Sequence, residues 1–421
     1  MSPSDPRAAD ARSRQAGDAA SLEELQARAG AHVMRSYGPA KGAFVRGQGT
    51  ALFDASGRAW LDFLCGLAVT SLGHAHPAVT AAVTQQAGTL VHTSNLYLTE
   101  PAIELAEKLA RIVGWPDART FFAQCGATAN EAAIKLARKH GKRQHEDKVR
   151  VVALEGSFHG RTLATLEATG QPAKHAPFEP LAGFVDHVPH DDADALTAAV
   201  GDRTCAVLLE VVQGEGGVRA LSPEVLSAAR DACDRHGALL IVDEVQTGMG
   251  RTGPWFAFQD TDVVPDVITL AKALANGLPI GACVARGAAG EVFEPGDHAT
   301  TFGGNPVVCA AANAVIDTIE RVQLLQAARA RSRRLGDGLA ALVESAPHAA
   351  GVRGRGLLLG LELDAPVAAE LEEACRERYL LVNAVAPDVL RLAPPLTVSR
   401  QEVDLALSAL EEALHAVGTS D

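Results

Sequence analysis

Lys272 is the one cation in the stretch VPDVITLAKALANGLPIG, from Val264 to Gly281, which otherwise reads as buried strand and turn. A buried lysine must find a partner, give up its proton or form a covalent bond. The segment ALLIVDEVQ poses the same problem with the opposite sign, because Asp243 and Glu244 follow directly on five apolar residues. A carboxylate at the end of a buried strand is costly unless paired. One reading is a structural ion pair. The other is an acid at the carboxyl edge of a parallel sheet, where ligands of such folds bind. Lys272 closes the next apolar segment, so the acid and the lysine would face one cleft. A third element, CGATANEAAIKLARK, is a small-residue turn opening a helix, and the first amides of such a helix are a ready anion site.

Regular elements must bring these groups together. A helix starting near Ser21 carries LEELQARAGAHVM, and GQGTALFDASGRAWLDFL reads as two short strands around the turn at Ser56-Gly57. From about residue 100 to 290, helix and strand alternate. The helix IELAEKLARIV precedes the apolar stretch RTFFAQC, and the helix ANEAAIKLARKHG runs into the strand VRVVALEG. CAVLLEVVQ, ALLIVDEVQ and DVITLAK are further strands. SPEVLSAARDACDRHG has Ser222 as N-cap, Pro223 at the first helical position and Gly237 just past the end. Near-continuous apolar strands separated by helices predict an α/β fold, a parallel sheet covered on both faces. After about residue 306 come helices with RGLLLGLEL and VLRLAPPL, strands of a smaller α+β domain. The expected organisation is a disordered tail over 1–20, an N-terminal segment over 21–70 packing with the small domain, a large domain over 71–305 and a small domain over 306–421.

Two motifs are decoys. GMGRTG, from Gly248 to Gly253, fits the dinucleotide-binding pattern, but PWFAFQD after it does not start the helix that such a motif needs. His74 and His76 in GHAHP have no Cys, Asp or Glu nearby at metal-ligand spacing, so a loop role is expected and no metal site.

The formal net charge of −13 and the lack of a basic cluster argue against nucleic acid or an anionic membrane as the main partner. An anionic ligand therefore needs a local positive site, which the helix at CGATAN supplies. The seven cysteines are odd in number and form no C-x-x-C pair, as expected of reduced thiols in a cytoplasmic protein. The first twenty residues have no apolar core, so neither a signal peptide nor an anchor is expected. No apolar run approaches the ~20 residues of a membrane span.

QCGATANEAAIKLAR, GSFHGRT, LEVVQGEGGV, LLIVDEVQTGMGRTG, TLAKALANGLPIGA and TTFGGNP stand in an order and spacing that resemble the class III aminotransferases, pyridoxal-phosphate enzymes of fold type I. The similarity runs from about Tyr37 to the C-terminus. Within the class it is greatest to acetylornithine aminotransferases, then to ornithine and 4-aminobutyrate aminotransferases. The resemblance implies a large domain with a mainly parallel sheet, a smaller α+β domain and pyridoxal 5'-phosphate as cofactor. Lys272 would form the Schiff base with the cofactor aldehyde and later act as the base that moves the proton. Asp243 would keep the pyridinium nitrogen protonated, so that the ring is an electron sink. Gln246 would hydrogen-bond the phenolic oxygen, Phe158 would stack on the ring, and the amides of Gly126 and Ala127 would hold the phosphate. Thr301 resembles the threonine that reaches the cofactor phosphate of the neighbouring subunit, which implies a homodimer with shared active sites. Beside it, Thr300 is expected to contact substrate.

Arg161 matches the arginine that grips a substrate carboxylate far from the reacting amine, although a surface ion pair is the plainer reading of that residue alone. Glu215 and Arg391 match a switch pair, in which Glu215 masks Arg391 while a terminal amine reacts and frees it for the α-carboxylate of glutamate. Tyr37 matches a substrate-contacting tyrosine, and Glu210 is expected to be structural or to orient its neighbours. Three positions depart from the family. Cys125 replaces serine or threonine, Val211 replaces proline, and Thr128 stands where an acidic residue is common. Leu67, in CGLAV, stands where aminotransferases of free ornithine place a tyrosine. An apolar residue there cannot hydrogen-bond a free α-ammonium, which favours an acylated α-nitrogen. The implied small-molecule partners are N2-acetylornithine and the 2-oxoglutarate/glutamate pair, with ornithine, succinylated ornithine, succinyl-diaminopimelate, 4-aminobutyrate and carrier-linked amino-adipate semialdehyde as alternatives. A non-catalytic relative would have lost the lysine or the aspartate, and both are present. A mutase or racemase of the same fold would not make glutamate from 2-oxoglutarate.

Overall fold

The computed structural model describes residues 20–418. The tail expected over 1–20 lies outside the described residues apart from Ala20. At the centre is a seven-stranded sheet. In chain order its strands are β1 (Arg119–Ala123), β2 (Arg150–Leu154), β3 (Val185–Val188), β4 (Thr204–Leu209), β5 (Leu239–Asp243), β6 (Val267–Leu270) and β7 (Gly281–Ala285). Their spatial order is β1-β7-β6-β5-β4-β2-β3. Neighbours from β6 to β3 pair in parallel. β7 is antiparallel to both β6 and β1, an inversion that the apolar-run pattern did not announce.

The α/β fold follows from strands apolar on both faces. Side chains alternate across a strand, so Ala206, Leu208, Leu239, Ile241 and Val267 pack to one side. Val207, Leu209, Leu240, Val242 and Ile268 pack to the other. Helix α1 (Gly126–Lys142) covers the first side with a stripe of Ala132, Ala133, Leu136 and Ala137. Helix α2 (Pro223–His236) covers the second. Its ends are as read: the Ser222 hydroxyl accepts the Val225 amide at 3.3 Å, and Gly237 takes the left-handed conformation that stops it.

The GMGRTG loop, with Met249, Gly250 and Gly253 at positive φ, leads only to a short 3-10 turn at Ala257–Asp260. Helix α3 (Pro306–Arg321) packs on the helices Pro77–Ala87 and Glu100–Val113. Beyond it lies a four-stranded antiparallel sheet of β8 (Ala349–Arg355), β9 (Leu358–Leu363), β10 (Asn383–Ala386) and β11 (Val389–Leu392), in the order β8-β9-β11-β10. The N-terminal strands Phe44–Gln48, Ala51–Asp54 and Ala59–Asp62 form a separate sheet, which the short strand Leu380–Leu381 joins in parallel. Among the described residues no helix is long and apolar enough to cross a membrane.

Candidate active site

The carboxyl edge of the sheet borders a cavity of about 410 Å³. β5 delivers Asp243 to it, and the turn after β6 delivers Lys272. Lys272 has φ +40, left-handed for a non-glycine residue, at a sharp turn between the strand and a 3-10 segment. Its ammonium has no hydrogen bond and no ion pair among the described residues. Burial, the largest influence, pushes its pKa below the ordinary lysine value, against the attraction of Glu215. Of the three fates open to a buried lysine, the geometry leaves loss of the proton and covalent attachment.

Asp243 and Glu244 go opposite ways. Asp243 faces the cavity. Its Oδ2 accepts from Asn130 Nδ2 at 2.7 Å and His159 Nδ1 at 2.8 Å, and its Oδ1 accepts the Val245 amide at 2.9 Å. Each carboxylate oxygen has two lone pairs, so Oδ1 retains one for a ligand. Asn130 is itself fixed, donating to His159 O at 2.8 Å and accepting from Thr269 Oγ1 at 2.6 Å. His159 is fully buried, and its Nε2 has no partner. Neither Asn130 nor His159 was named from the sequence. Glu244 turns into the core, where its carboxyl accepts the Phe258 amide at 2.9 Å and the Thr247 hydroxyl. Burial pushes it up to about 7.

Gly126 and Ala127 head α1 and line the same cavity. No carbonyl of a preceding turn can pair with their amides. A Cβ at position 126 would stand 2.9 Å from Val245 Cγ1, so the close approach requires glycine. The departures at this cup are compatible with its shape. Thr128 Oγ1 accepts the amides of Gln124 at 3.1 Å and Cys125 at 3.0 Å, capping the turn as a carboxylate could. Val211 is fully buried in the core.

Phe158 lines the cavity, and the guanidinium of Arg161 sits 5.7 Å from its ring centroid. Arg161 is exposed at the cavity wall and has no ion pair among the described residues. Opposite, β11 brings in Arg391, which is buried, with its Nη1 2.6 Å from Glu215 Oε1. The same Nη1 donates to Gly214 O at 3.0 Å and Gln246 Oε1 at 3.1 Å, and Nη2 donates to Asn383 Oδ1 at 2.8 Å. Gln246 Nε2 donates to Glu215 Oε1 at 3.1 Å, so its amide belongs to the Glu215–Arg391 network and keeps one N–H free. Burial opposes ionisation of Glu215, but Arg391 and Lys272 outweigh it and hold the carboxyl below its ordinary value.

Arg391 stands behind Glu215 and Gln246 without lining this cavity, and four further named residues stand outside it in the single chain. Tyr37 is 89% exposed. Leu67 is half-exposed on a turn where Cys65, Gly66, Leu67 and Ala68 all have left-handed φ. Thr300 and Thr301 line a larger, open cleft of about 1020 Å³, connected through Gln124, which lines both spaces and donates to the Thr300 hydroxyl. His74 has an acidic partner that the sequence reading missed, Asp62 Oδ2 at 2.7 Å. Among the described residues no group of three or more His, Cys, Asp or Glu could hold a metal ion.

Residues 33–414 match the aminotransferase class-III family. The chain is 50% identical to the acetylornithine aminotransferase of Mycolicibacterium smegmatis over 390 residues, covering 93% of this chain and 98% of that one. It is 51% identical over 389 residues to the acetylornithine aminotransferase of Mycobacterium tuberculosis, covering 92% and 95%. Among solved structures, the ornithine aminotransferase of Toxoplasma gondii superposes with a TM-score of 0.91 at 30% identity, over 96% of this chain and 97% of that one. The N-acetylornithine aminotransferase of Stenotrophomonas maltophilia superposes with a TM-score of 0.82 at 35% identity, over 94% and 100%. A further Toxoplasma gondii ornithine aminotransferase structure, 29% identical, carries PLP in partial occupancy at its active site. Matched along nearly its whole length and folded like its solved relatives, this chain belongs to the class-III aminotransferases, which work with pyridoxal phosphate.

Proposed function

We propose that the enzyme transfers the δ-amine of N2-acetyl-L-ornithine to 2-oxoglutarate, giving N-acetylglutamate 5-semialdehyde and L-glutamate, the chemistry of an arginine-biosynthesis step. The observation that carries this reading is the Glu215–Arg391 pair at 2.6 Å beside an unpaired Lys272. A site for two substrates that differ in charge next to the reacting carbon needs such a removable mask. The names of relatives at 50% and 51% identity support the acetylated donor.

The residues present fit pyridoxal phosphate. Glycine at 126 lets the head of α1 pack closely on Val245 with its amides unpaired, and Asp243 Oδ1 keeps a lone pair in the same cavity as a free amine. The proposed holders are the Gly126 and Ala127 amides for the phosphate, Phe158 for the ring face, Asp243 for the ring nitrogen and Gln246 for the phenolic oxygen. When bound, the cofactor supplies the aldehyde and the electron-withdrawing ring. Lys272 Nζ, whose charged form burial disfavours, would take the proton from the carbon that bears the reacting amine. Asp243, held by three N–H donors, would accept the ring-nitrogen proton through the remaining lone pair of Oδ1. Arg161 binds the distant carboxylate of acetylornithine. Arg391 is covered by Glu215 while the δ-amine reacts. When glutamate or 2-oxoglutarate enters, Glu215 moves aside and Arg391 takes the α-carboxylate.

The proposed assembly is a cytoplasmic homodimer. Leu96 and Phe302 line the larger cleft and are largely exposed, as is Leu98 two residues past Leu96, an apolar surface of the kind that a partner covers. Across it Thr301 would reach the neighbouring phosphate, with Thr300 beside it and Tyr37 and Leu67 meeting substrate. With a division near residue 305, Lys272 comes from the large domain and Arg391 from the small one. The test is a kcat/KM panel of acetylornithine, succinylornithine, ornithine and 4-aminobutyrate with 2-oxoglutarate. Acetylornithine should lead. A lead by free ornithine would sink the substrate assignment and leave the aminotransferase intact.

A further inference from the structure

Glu210 is the first residue past β4, and Asp243 is the last of β5. Leu209 and Val242 pair in parallel register, so the carboxyls that follow them stand side by side at the sheet edge. Alternation puts both on the α1 face, with Leu208 and Ile241. Both line the cavity and both are buried, at 5% and 3% exposure.

The two are served unequally. Asp243 accepts three N–H donors, from Asn130, His159 and Val245. Glu210 accepts one, the Phe158 amide at 3.0 Å on Oε2. No lysine or arginine among the described residues forms an ion pair with either one. Neighbouring carboxyls in a buried site cannot both ionise without large cost, and the proton goes to the one whose charge is less well solvated. We propose that Glu210 stands in the site as a neutral carboxylic acid, the proton-holding member of a pair whose charged member is Asp243, and acts as a positioning residue for it.

The titratable groups facing Glu210 are Asp243 beside it and Glu215 and Lys272 across the cavity, with Arg391 behind Glu215 and His159 beyond Asp243. Burial most of all, and then Asp243, push Glu210 well above the ordinary carboxyl range. The Phe158 amide and Lys272 oppose this without offsetting it. The consequence is electrostatic. With Glu210 neutral, the edge presents one negative charge, fixed on Asp243 where the ring nitrogen needs it. An ionised Glu210 would compete for that proton and hold Lys272 in its charged, non-nucleophilic form. The protonation itself does not depend on the substrate; only its consequence rests on the aminotransferase reading.

The test begins with apoprotein labelled with isotopic glutamate. At neutral pH the infrared difference between wild type and Glu210→Gln should contain a carboxylic-acid carbonyl band owed to Glu210. Carboxylate bands in its place overturn the proposal. In holoenzyme, Glu210→Ala should lower kcat by about tenfold or more and weaken cofactor binding, and Glu210→Gln should recover most of both. Glutamine is as neutral as the protonated acid and nearly its shape. A glutamine variant no better than alanine would mean that a charged Glu210 is required. The alkaline loss of kcat in wild type should flatten in Glu210→Gln, and an unchanged alkaline limb counts against the proposal. If Glu210→Gln does not fold, labelled apoprotein of Glu244→Gln, which lacks the other raised glutamate, decides: an acid band that persists above the ordinary carboxyl range supports the proposal, and its absence overturns it. An acid band in an enzyme that does not use acetylornithine removes the substrate assignment alone.

Discussion

Arg391 Nη1 lies 2.6 Å from Glu215 Oε1, and Gln246 bonds to both partners. The guanidinium is thus covered by a carboxylate that is itself only partly buried. Glu215→Ala should leave Arg391 open to the cavity, so glutamate gains as amino donor relative to acetylornithine. Arg391→Ala should weaken 2-oxoglutarate far more than acetylornithine. The measurement is kcat/KM for each half-reaction in both variants. An equal drop for both substrates would mean that the pair is structural.

Lys272 is expected to carry the cofactor covalently. Borohydride reduction of holoenzyme followed by peptide mapping should find the pyridoxyl group on Lys272, and label on another lysine would refute the assignment. Lys272→Ala should lose about 10²–10⁴-fold in kcat, the range of a general base.

Asp243→Asn should still hold the phosphate at the head of α1 but lose most activity, since an amide cannot keep the ring nitrogen protonated. Activity within tenfold of wild type, about 1.4 kcal/mol of barrier, would show that Asp243 has another role.

Glu244 predicts a pH effect on stability that is separate from catalysis. Its carboxyl is raised by burial from 4.5 to about 7. The folded state binds the proton more tightly than the unfolded state, so the stabilisation is complete below pH 4.5 and is lost as pH rises to about 7. At 1.36 kcal/mol per pH unit, the loss over that interval is about 3 kcal/mol. Urea unfolding of wild type and Glu244→Gln across this range should show wild type losing ground to the variant as pH rises. Parallel curves would show that Glu244 ionises normally.

Cys125 is the one exposed thiol among seven free cysteines. A thiol reagent should modify one cysteine rapidly in apoprotein, and Cys125→Ser should abolish that phase. Bound cofactor should protect it, because the thiol borders the phosphate cup. Equal rates in apoprotein and holoenzyme would place the phosphate elsewhere.

The sequence announced the α/β class through the apolar runs at CAVLLEVVQ and ALLIVDEVQ, which no half-exposed strand could carry. Lys272 and Asp243 stood out because charge at the end of an apolar run demands an explanation, whereas Glu215 and Arg391 were named only through the family motifs. Asn130 and His159 were not, although both lie inside quoted motifs. They meet Asp243 across 113 and 84 residues of chain, and only the folded sheet edge brings them there. β7 was missed because GACVA is short and small, and its direction depends on the turn before it. Tyr37 and Leu67 sit on irregular segments, whose distance from the cavity no periodicity encodes.

The turn Cys65–Ala68 limits how this enzyme can be diversified. Leu67 stands at φ +71, between neighbours that are also left-handed. A β-branched residue there would add steric conflict to a conformation that already costs an L-residue roughly 1–2 kcal/mol, whereas asparagine or glycine would relieve it. Valine, isoleucine and threonine are therefore poor choices at this position. Unbranched and aromatic side chains remain open. If Leu67 meets substrate as proposed, the backbone narrows the side chains open to that position before any substrate is met.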